Sequence, residues 1–91
     1  MIASFKHKGL KELVDTGSSR RVSPVLHQRA RICLNLLNAI GSLRDIPAAG
    51  LKPHPLRGQP NRYALSVSGP WRITFGWDRE NVTAVDLEQY H

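Results

Sequence analysis

Apolar residues recur with a helical period in the first half of the chain and alternate with polar residues in the last third. In residues 6–15, Leu10, Leu13 and Val14 fall on one face of a short helix. Gly9 lowers the helix propensity of this segment. The pattern therefore predicts a short amphipathic helix near the N-terminus.

A second, stronger helix is predicted between Ser23 and Gly41. Ser23 is a candidate N-cap, Pro24 suits the first helical position, and Gly41 supplies a stop. The apolar stripe of this helix follows three- and four-residue steps through Leu26, Ala30, Cys33, Leu37 and Ile40. Because Cys33 lies within the stripe, we predict a buried structural thiol rather than a reactive one.

Three strands are predicted after residues 42–62, which are irregular and rich in proline. Turns at Gly69-Pro70 and at residues 78–81 separate strands at residues 64–68, 71–77 and 82–87. Residues 2–5 are a candidate edge strand. Two helices followed by an antiparallel meander predict an α+β fold, with both helices on one face of a small sheet. The short chain predicts a single domain over residues 1–91.

The distribution of charge points to a polyanionic partner. The formal net charge is +6, and residues 1–31 carry seven basic side chains against two acidic ones. Nucleic acid and an acidic membrane surface both suit such a surface. The chain lacks an apolar run long enough for a signal peptide or a membrane span. A single cysteine allows no internal disulfide, so we expect a cytoplasmic protein.

Arg72 is the first candidate for chemistry. Its neighbours Trp71 and Ile73 are predicted to face the core, so the period of two places Arg72 on the opposite, uncovered face of the sheet. A guanidinium on a rigid strand can bind two phosphate oxygens at once. An ordinary solvent-facing arginine is the alternative interpretation.

His54 and Arg57 form the second candidate, in a loop where Pro53 and Pro55 restrict the backbone. A rigidly held imidazole beside a guanidinium could transfer protons next to an anion, although a single exposed histidine often has no role. The C-terminal Tyr90 and His91 form the third candidate, since tyrosine can stack on a base and histidine titrates near neutral pH. A frayed tail is the alternative there.

The histidines do not suggest a metal site. His7, His27, His54 and His91 show no paired ligand spacing, and only one cysteine is present. We therefore expect neither a metal nor another cofactor.

Four segments together resemble the HigB toxins of the RelE superfamily, also called plasmid maintenance killer proteins. They are Met1-Ile2 with Ser4–Leu10, the His54–Gly58 loop, the Trp71–Phe75 strand and the Tyr90-His91 ending. Their order and spacing match the family from end to end. The resemblance implies a RelE-like fold, with helices on one face of the sheet and RNA on the other.

The resemblance also implies an activity and partners. HigB toxins belong to type II toxin–antitoxin modules and cleave messenger RNA in the ribosomal A site. The implied partners are the 70S ribosome with its mRNA and a HigA-like antitoxin with a helix-turn-helix domain. Operator DNA would be bound only through the toxin–antitoxin complex. No membrane partner is implied.

By the family pattern, the active-site positions are His54, Arg57, Arg72, Tyr90 and His91. In the implied reaction the ribose 2′-hydroxyl attacks the adjacent phosphate, with His91 as base and His54 as acid or orienting group, or with these two roles exchanged. Arg57 and Arg72 would hold the phosphate, and Tyr90 would stack or orient. Relatives often have Asp before the final Tyr-His where this chain has Gln89. A carboxylate role at that position is therefore lost or moves to Glu88.

A positive face formed by Lys6, Lys8, Lys11, Arg20, Arg21 and Arg29 would supply affinity for ribosomal RNA. Two other functions stay open on the sequence. The chain could bind RNA or the ribosome and block translation without cutting, or it could act as a co-repressor subunit for its operon.

Overall fold

The computed structural model describes residues 1–42, 45, 54–56, 58–59 and 61–89. Their helices and strands are α1 (Lys8–Thr16), α2 (His27–Ala39), β1 (His54–Pro55), β2 (Arg62–Ser68), β3 (Trp71–Asp78) and β4 (Asn81–Gln89). All neighbouring strands are antiparallel, and the sheet order is β1-β2-β3-β4. The predicted α+β class is confirmed. In the described part of the chain, none of the helices has the length and apolar character needed to cross a membrane.

The hydrophobic core lies between the two helices and one face of the sheet. The predicted stripe of α2 is buried in full, at Leu26, Ala30, Cys33, Leu37 and Ile40. It packs with sheet residues that include Leu65, Ile73 and Phe75, all fully buried. Burying a side chain of this size stabilises the fold by about 1.5–3 kcal/mol. Burial raises the pKa of the Cys33 thiol, opposed by the charge of Arg29, which fits the predicted structural role.

The first helix begins two residues later than predicted because a histidine caps it. His7 Nδ1 accepts hydrogen bonds from the backbone N–H groups of Gly9 (3.0 Å) and Leu10 (3.3 Å). The helix therefore starts at Lys8 instead of residue 6. The prediction that Val14 belongs to the apolar face was wrong, since this side chain is exposed.

The second helix also differs from its prediction at both ends. Ser23 makes no side-chain capping bond, and Pro24–Leu26 form a 3-10 turn that leads into α2 at His27. His27 Nε2 lies 3.1 Å and 2.8 Å from the carbonyl oxygens of Ser19 and Val22, so its imidazole ties the preceding loop to the helix. α2 ends at Ala39, before the predicted stop, because the next residue is already extended.

The sheet gains a strand inside the segment that was predicted to be irregular. β1 pairs with β2 through His54↔Ala64 and Pro55↔Tyr63. The N–H of Leu56 donates to the carbonyl of Arg62 (2.9 Å), so the nitrogen of Pro55 points away from β2 and no ladder hydrogen bond is lost. Proline is tolerated on an edge strand for this reason. The expectation that strands begin only after residue 62 was wrong.

The predicted edge strand at residues 2–5 is reduced to two isolated bridges. Ile2 pairs with Val82 and Phe5 with Val85, both parallel to β4. This segment covers part of the outer edge of β4. It also carries the chain directly into the basic residues at the start of α1.

A bulge interrupts β4 where the sequence predicted a regular strand. Thr74 pairs with Asp86 whereas Gly76 pairs with Thr83, so β4 holds one extra residue. Ala84 takes a positive φ of 48° at this point. Bulges bend a strand, increase its twist and re-aim neighbouring side chains, and they are common beside functional sites.

Candidate active site

The face of the sheet opposite the helices, here called the outer face, carries Arg72 and Thr74 of β3. Directly paired residues of antiparallel strands project on the same face. Arg72 is paired with Ser66 on β2 and Glu88 on β4, and Thr74 is paired with Ala64 and Asp86. His54 pairs with Ala64 and therefore shares this face.

The register brings Arg72 and His54 to one surface without direct contact. Neighbouring strands lie about 4.8 Å apart, so the Cα atoms of His54 and Thr74, two strands apart, are separated by about 10 Å. The His54 side chain is exposed and that of Arg72 is half-buried. A substrate could therefore lie between an imidazole on β1 and a guanidinium on β3. His54 itself is a strand residue, so its prediction as a loop residue was wrong.

A shallow pocket of about 100 Å³ opens on the outer face. This cavity, here called the outer pocket, is lined by Leu56, Gln59, Arg72, Thr74, Glu88 and Gln89. The guanidinium of Arg72 supplies positive charge to this pocket and the carboxylate of Glu88 supplies an acceptor. The outer pocket therefore combines a guanidinium, a group that can bind phosphate, with a carboxylate, a group that can take a proton.

A chain of hydrogen bonds crosses the floor of the outer face from β2 to β4. Arg62 Nη2 donates to Thr74 Oγ1 (3.2 Å) and to the carbonyl of Ala84 (3.1 Å) at the bulge. Thr74 Oγ1 in turn donates to Glu88 Oε2. Thr74 is buried, at 4% exposed, and a buried hydroxyl needs partners. Its hydroxyl accepts from Arg62 and donates to Glu88. This series of hydrogen bonds orients the Glu88 carboxylate.

Gly76 lies beside these hydrogen bonds, next to the side chains of Thr83 and Arg62. A Cβ atom at this position would lie 2.7 Å from Thr83 Oγ1 and 3.6 Å from Arg62 Nη1. A side chain there would force the Thr83 hydroxyl to shift, whereas the distance to Arg62 is an ordinary van der Waals contact. The glycine therefore leaves room for the Thr83 hydroxyl on the outer face.

Arg62→Ala is expected to lower the free energy of unfolding by about 1.5–3 kcal/mol, because it leaves Thr74 and the Ala84 carbonyl without a charged donor. Urea-induced unfolding measures this change. The control is Arg31→Ala, which removes an exposed guanidinium from α2 and should change stability by no more than about 0.5 kcal/mol. Equal effects of the two substitutions would show that Arg62 does not support the sheet.

Most of the predicted basic residues lie near the start of α1, but they are not equally available. Lys6, Lys8 and Arg21 line a groove with His7 and Asp86, here called the basic groove. Within the described residues, Lys6, Lys8 and Arg20 form no ion pair. By contrast, Lys11 pairs with Asp15 (2.7 Å) and Arg21 pairs with Glu12 (3.3 Å).

The basic groove adjoins the outer pocket. Asp86 lines the groove and is the cross-strand partner of Thr74, which lines the pocket. An extended polyanion could therefore run from one to the other across β4. Arg29 lies elsewhere, in a groove between α2 and the end of β2 that it lines with residues such as Val25, Ile32 and Val67.

Three of the predicted site residues, Arg57, Tyr90 and His91, lie outside the described residues. Among the described residues, no cluster of three His, Cys, Asp or Glu side chains is arranged to hold a metal ion. The sequence interpretation missed Arg62 and Thr74, and it named Glu88 only as an alternative. The three residues are distant in sequence, and only the strand register shows that they meet.

Comparison with known proteins gives one curated relative over the full length. The chain is 33% identical over 92 residues to the endoribonuclease HigB of Proteus vulgaris, and the match covers 100% of both chains. No protein-family model matches the chain.

Proposed function

The chain belongs to the HigB family of endoribonuclease toxins, and we propose that it cleaves messenger RNA in the ribosomal A site and thereby stops translation and growth. The assignment of RNA cleavage rests on the 33% sequence identity to an endoribonuclease, which extends over the full length of both chains. The two helices and the antiparallel sheet are compatible with a RelE-like fold over residues 1–91. In this fold the helix-free outer face receives the RNA.

The proposed reaction uses the nucleophile that ribose already carries. The 2′-hydroxyl attacks the neighbouring phosphorus, a base removes its proton, and the leaving 5′-oxygen gains a proton. Such a step needs alignment and charge stabilisation but no metal ion. It leaves a cyclic phosphate on one fragment and a 5′-hydroxyl on the other.

Arg72 is the proposed phosphate ligand in the described part of the site. Its guanidinium can form two parallel hydrogen bonds to non-bridging phosphate oxygens, and the charge on those oxygens increases in the transition state. His54 lies on the same face, which supports its proposed role in exchanging a proton with a reacting oxygen of a bound substrate. By the family pattern, Arg57, Tyr90 and His91 complete the site.

The basic groove and the neighbouring Arg20 supply the proposed contact with ribosomal RNA. Lys6 and Lys8 in the groove, and Arg20 beside it, are exposed and form no ion pair with a described residue, so they are the strongest candidates. Lys11 and Arg21 would have to exchange carboxylate partners for phosphate, and Arg29 would contact RNA at a separate place. Each phosphate contact releases counterions, so affinity for the ribosome should fall with salt.

The proposed protein partner is a HigA-like helix-turn-helix antitoxin, whose complex with the toxin represses the operon. Induced expression of the chain alone should arrest growth, and co-expression of the antitoxin gene from the same operon should restore it. Northern blots of translated messages then distinguish the two toxic mechanisms. Shortened messages support cleavage, whereas arrested growth with intact messages supports a non-cleaving translation blocker and contradicts the proposal.

A further inference from the structure

The carboxylate of Glu88 stands out on a face that is proposed to receive RNA. A negative charge beside an arginine that is proposed to bind phosphate repels RNA, so its place on this face calls for a function that offsets this repulsion. The side chain is nevertheless held in the outer pocket by Thr74 Oγ1, which donates to Glu88 Oε2. The residue is exposed, and this hydrogen bond orients one oxygen of its carboxylate toward Thr74.

The position of Glu88 relative to Arg72 fits a reacting group. The two residues are direct cross-strand partners, and both line the outer pocket. Thr74 occupies only Oε2, and Glu88 Oε1 forms no hydrogen bond or ion pair with any described residue. One carboxylate oxygen is thus anchored while the other can accept a proton from a ligand.

We propose that Glu88 is a catalytic residue that accepts the 2′-hydroxyl proton, and that Thr74, held by Arg62, positions it. This inference rests on the proposed RNA cleavage. As the bond from the 2′-oxygen to phosphorus forms, the hydroxyl proton passes to Glu88 Oε1. As the bond from phosphorus to the 5′-oxygen breaks, that oxygen takes a proton from the imidazolium of His54 or His91.

The chemistry of the neighbouring positions supports this assignment. Gln89 also lines the outer pocket, but its amide cannot act as a base at neutral pH. Among the described residues, the ionisable groups that share the face with Glu88 include Arg72 of β3, Arg62 of β2, His54 of β1 and Asp86 of its own strand. The two arginines in this set offset the negative charges of the carboxylate and of a phosphate bound nearby.

Glu88→Gln tests the proposal because glutamine can still accept the hydrogen bond from Thr74 but cannot take up the proton. We expect kcat for cleavage to fall about 100- to 1000-fold with little change in KM. The pH profile is the second measurement. The wild-type rate should fall on acidification, as expected for a reaction that needs a basic group, and this acidic limb should be absent from the variant.

Two controls separate a catalytic role from a structural one. Glu80→Gln removes an exposed carboxylate from the turn between β3 and β4 and should leave the rate and its pH profile unchanged. Thr74→Val removes the positioning hydroxyl and should lower kcat about tenfold or more, while Thr74→Ser should restore it. Melting temperatures identify any variant that fails to fold, and the serine variant keeps the hydroxyl for comparison.

Cleavage by Glu88→Gln within about threefold of the wild type, with the acidic limb intact, would overturn the proposal. A variant that cleaves faster than the wild type would also overturn it, because the carboxylate would then only repel RNA. A wild-type protein that cuts no RNA under any condition would instead overturn the proposed function itself, and this inference with it.

Discussion

Replacing His54 and His91 together by alanine is expected to lower the rate of mRNA cleavage by at least about 1000-fold, the largest effect of any change considered for this protein. Each general acid or base typically contributes about 100- to 10,000-fold to a rate. The double variant removes both imidazoles of the proposed site, so no histidine there can protonate the leaving 5′-oxygen. Single-turnover cleavage of an mRNA bound to ribosomes measures the loss.

The double variant is expected to fold, so a loss of cleavage can be assigned to chemistry. His54 is exposed and contributes to the sheet through its backbone pairing with Ala64, which alanine preserves. We therefore expect the melting temperature to stay close to that of the wild type. The other two histidines are different, because His7 caps α1 and His27 contacts two loop carbonyls. A double variant that still cleaves at the wild-type rate would remove both imidazoles from the mechanism.

Arg72→Ala is expected to slow cleavage by about 10- to 150-fold, the equivalent of about 1.5–3 kcal/mol for a charge-assisted hydrogen bond to phosphate. The loss should appear mainly in kcat, because charge on the phosphate oxygens is greatest in the transition state. Arg72→Lys keeps the charge but loses the planar fork, so we expect only partial recovery. Kinetics on ribosome-bound mRNA separate kcat from KM.

Arg79→Ala is the matched control for Arg72. It removes an exposed guanidinium from the turn that follows the same strand, so the loss of one positive charge is common to both variants. We expect this control to cleave at the wild-type rate. If Arg72→Ala unfolds the protein in place of slowing cleavage, Arg72 has a structural role. The proposal that Arg62 supports the sheet while Arg72 binds phosphate would then be wrong.

The parts of the fold that the sequence predicts best are those with the longest regular patterns. The stripe on α2 and the alternation around Ile73 and Phe75 each repeat several times, so the buried face is determined by many residues together. Element ends depend on single contacts. The His7 cap moves the start of α1, and the pairing with β2 turns His54 and Pro55 into a strand.

The site is predictable only where it depends on one strand at a time. A period of two was sufficient to put Arg72 on the outer face. The chain from Arg62 through Thr74 to Glu88 depends on the register of three strands and on a bulge that one extra residue creates. A sequence pattern within one strand contains no information about either. The roles of Arg57, Tyr90 and His91 remain predictions from the family resemblance.

The chemistry of the RNA ends tests the central claim most directly. Wild-type protein is incubated with ribosomes that hold a defined mRNA codon in the A site, and the fragments are sequenced and their ends identified. Attack by the 2′-hydroxyl predicts a 5′-hydroxyl on the downstream fragment. Action at the ribosome predicts a cut within the A-site codon and much weaker cutting of the same RNA without ribosomes. A 5′-phosphate on that fragment, or an intact message on a stalled ribosome, would contradict the account.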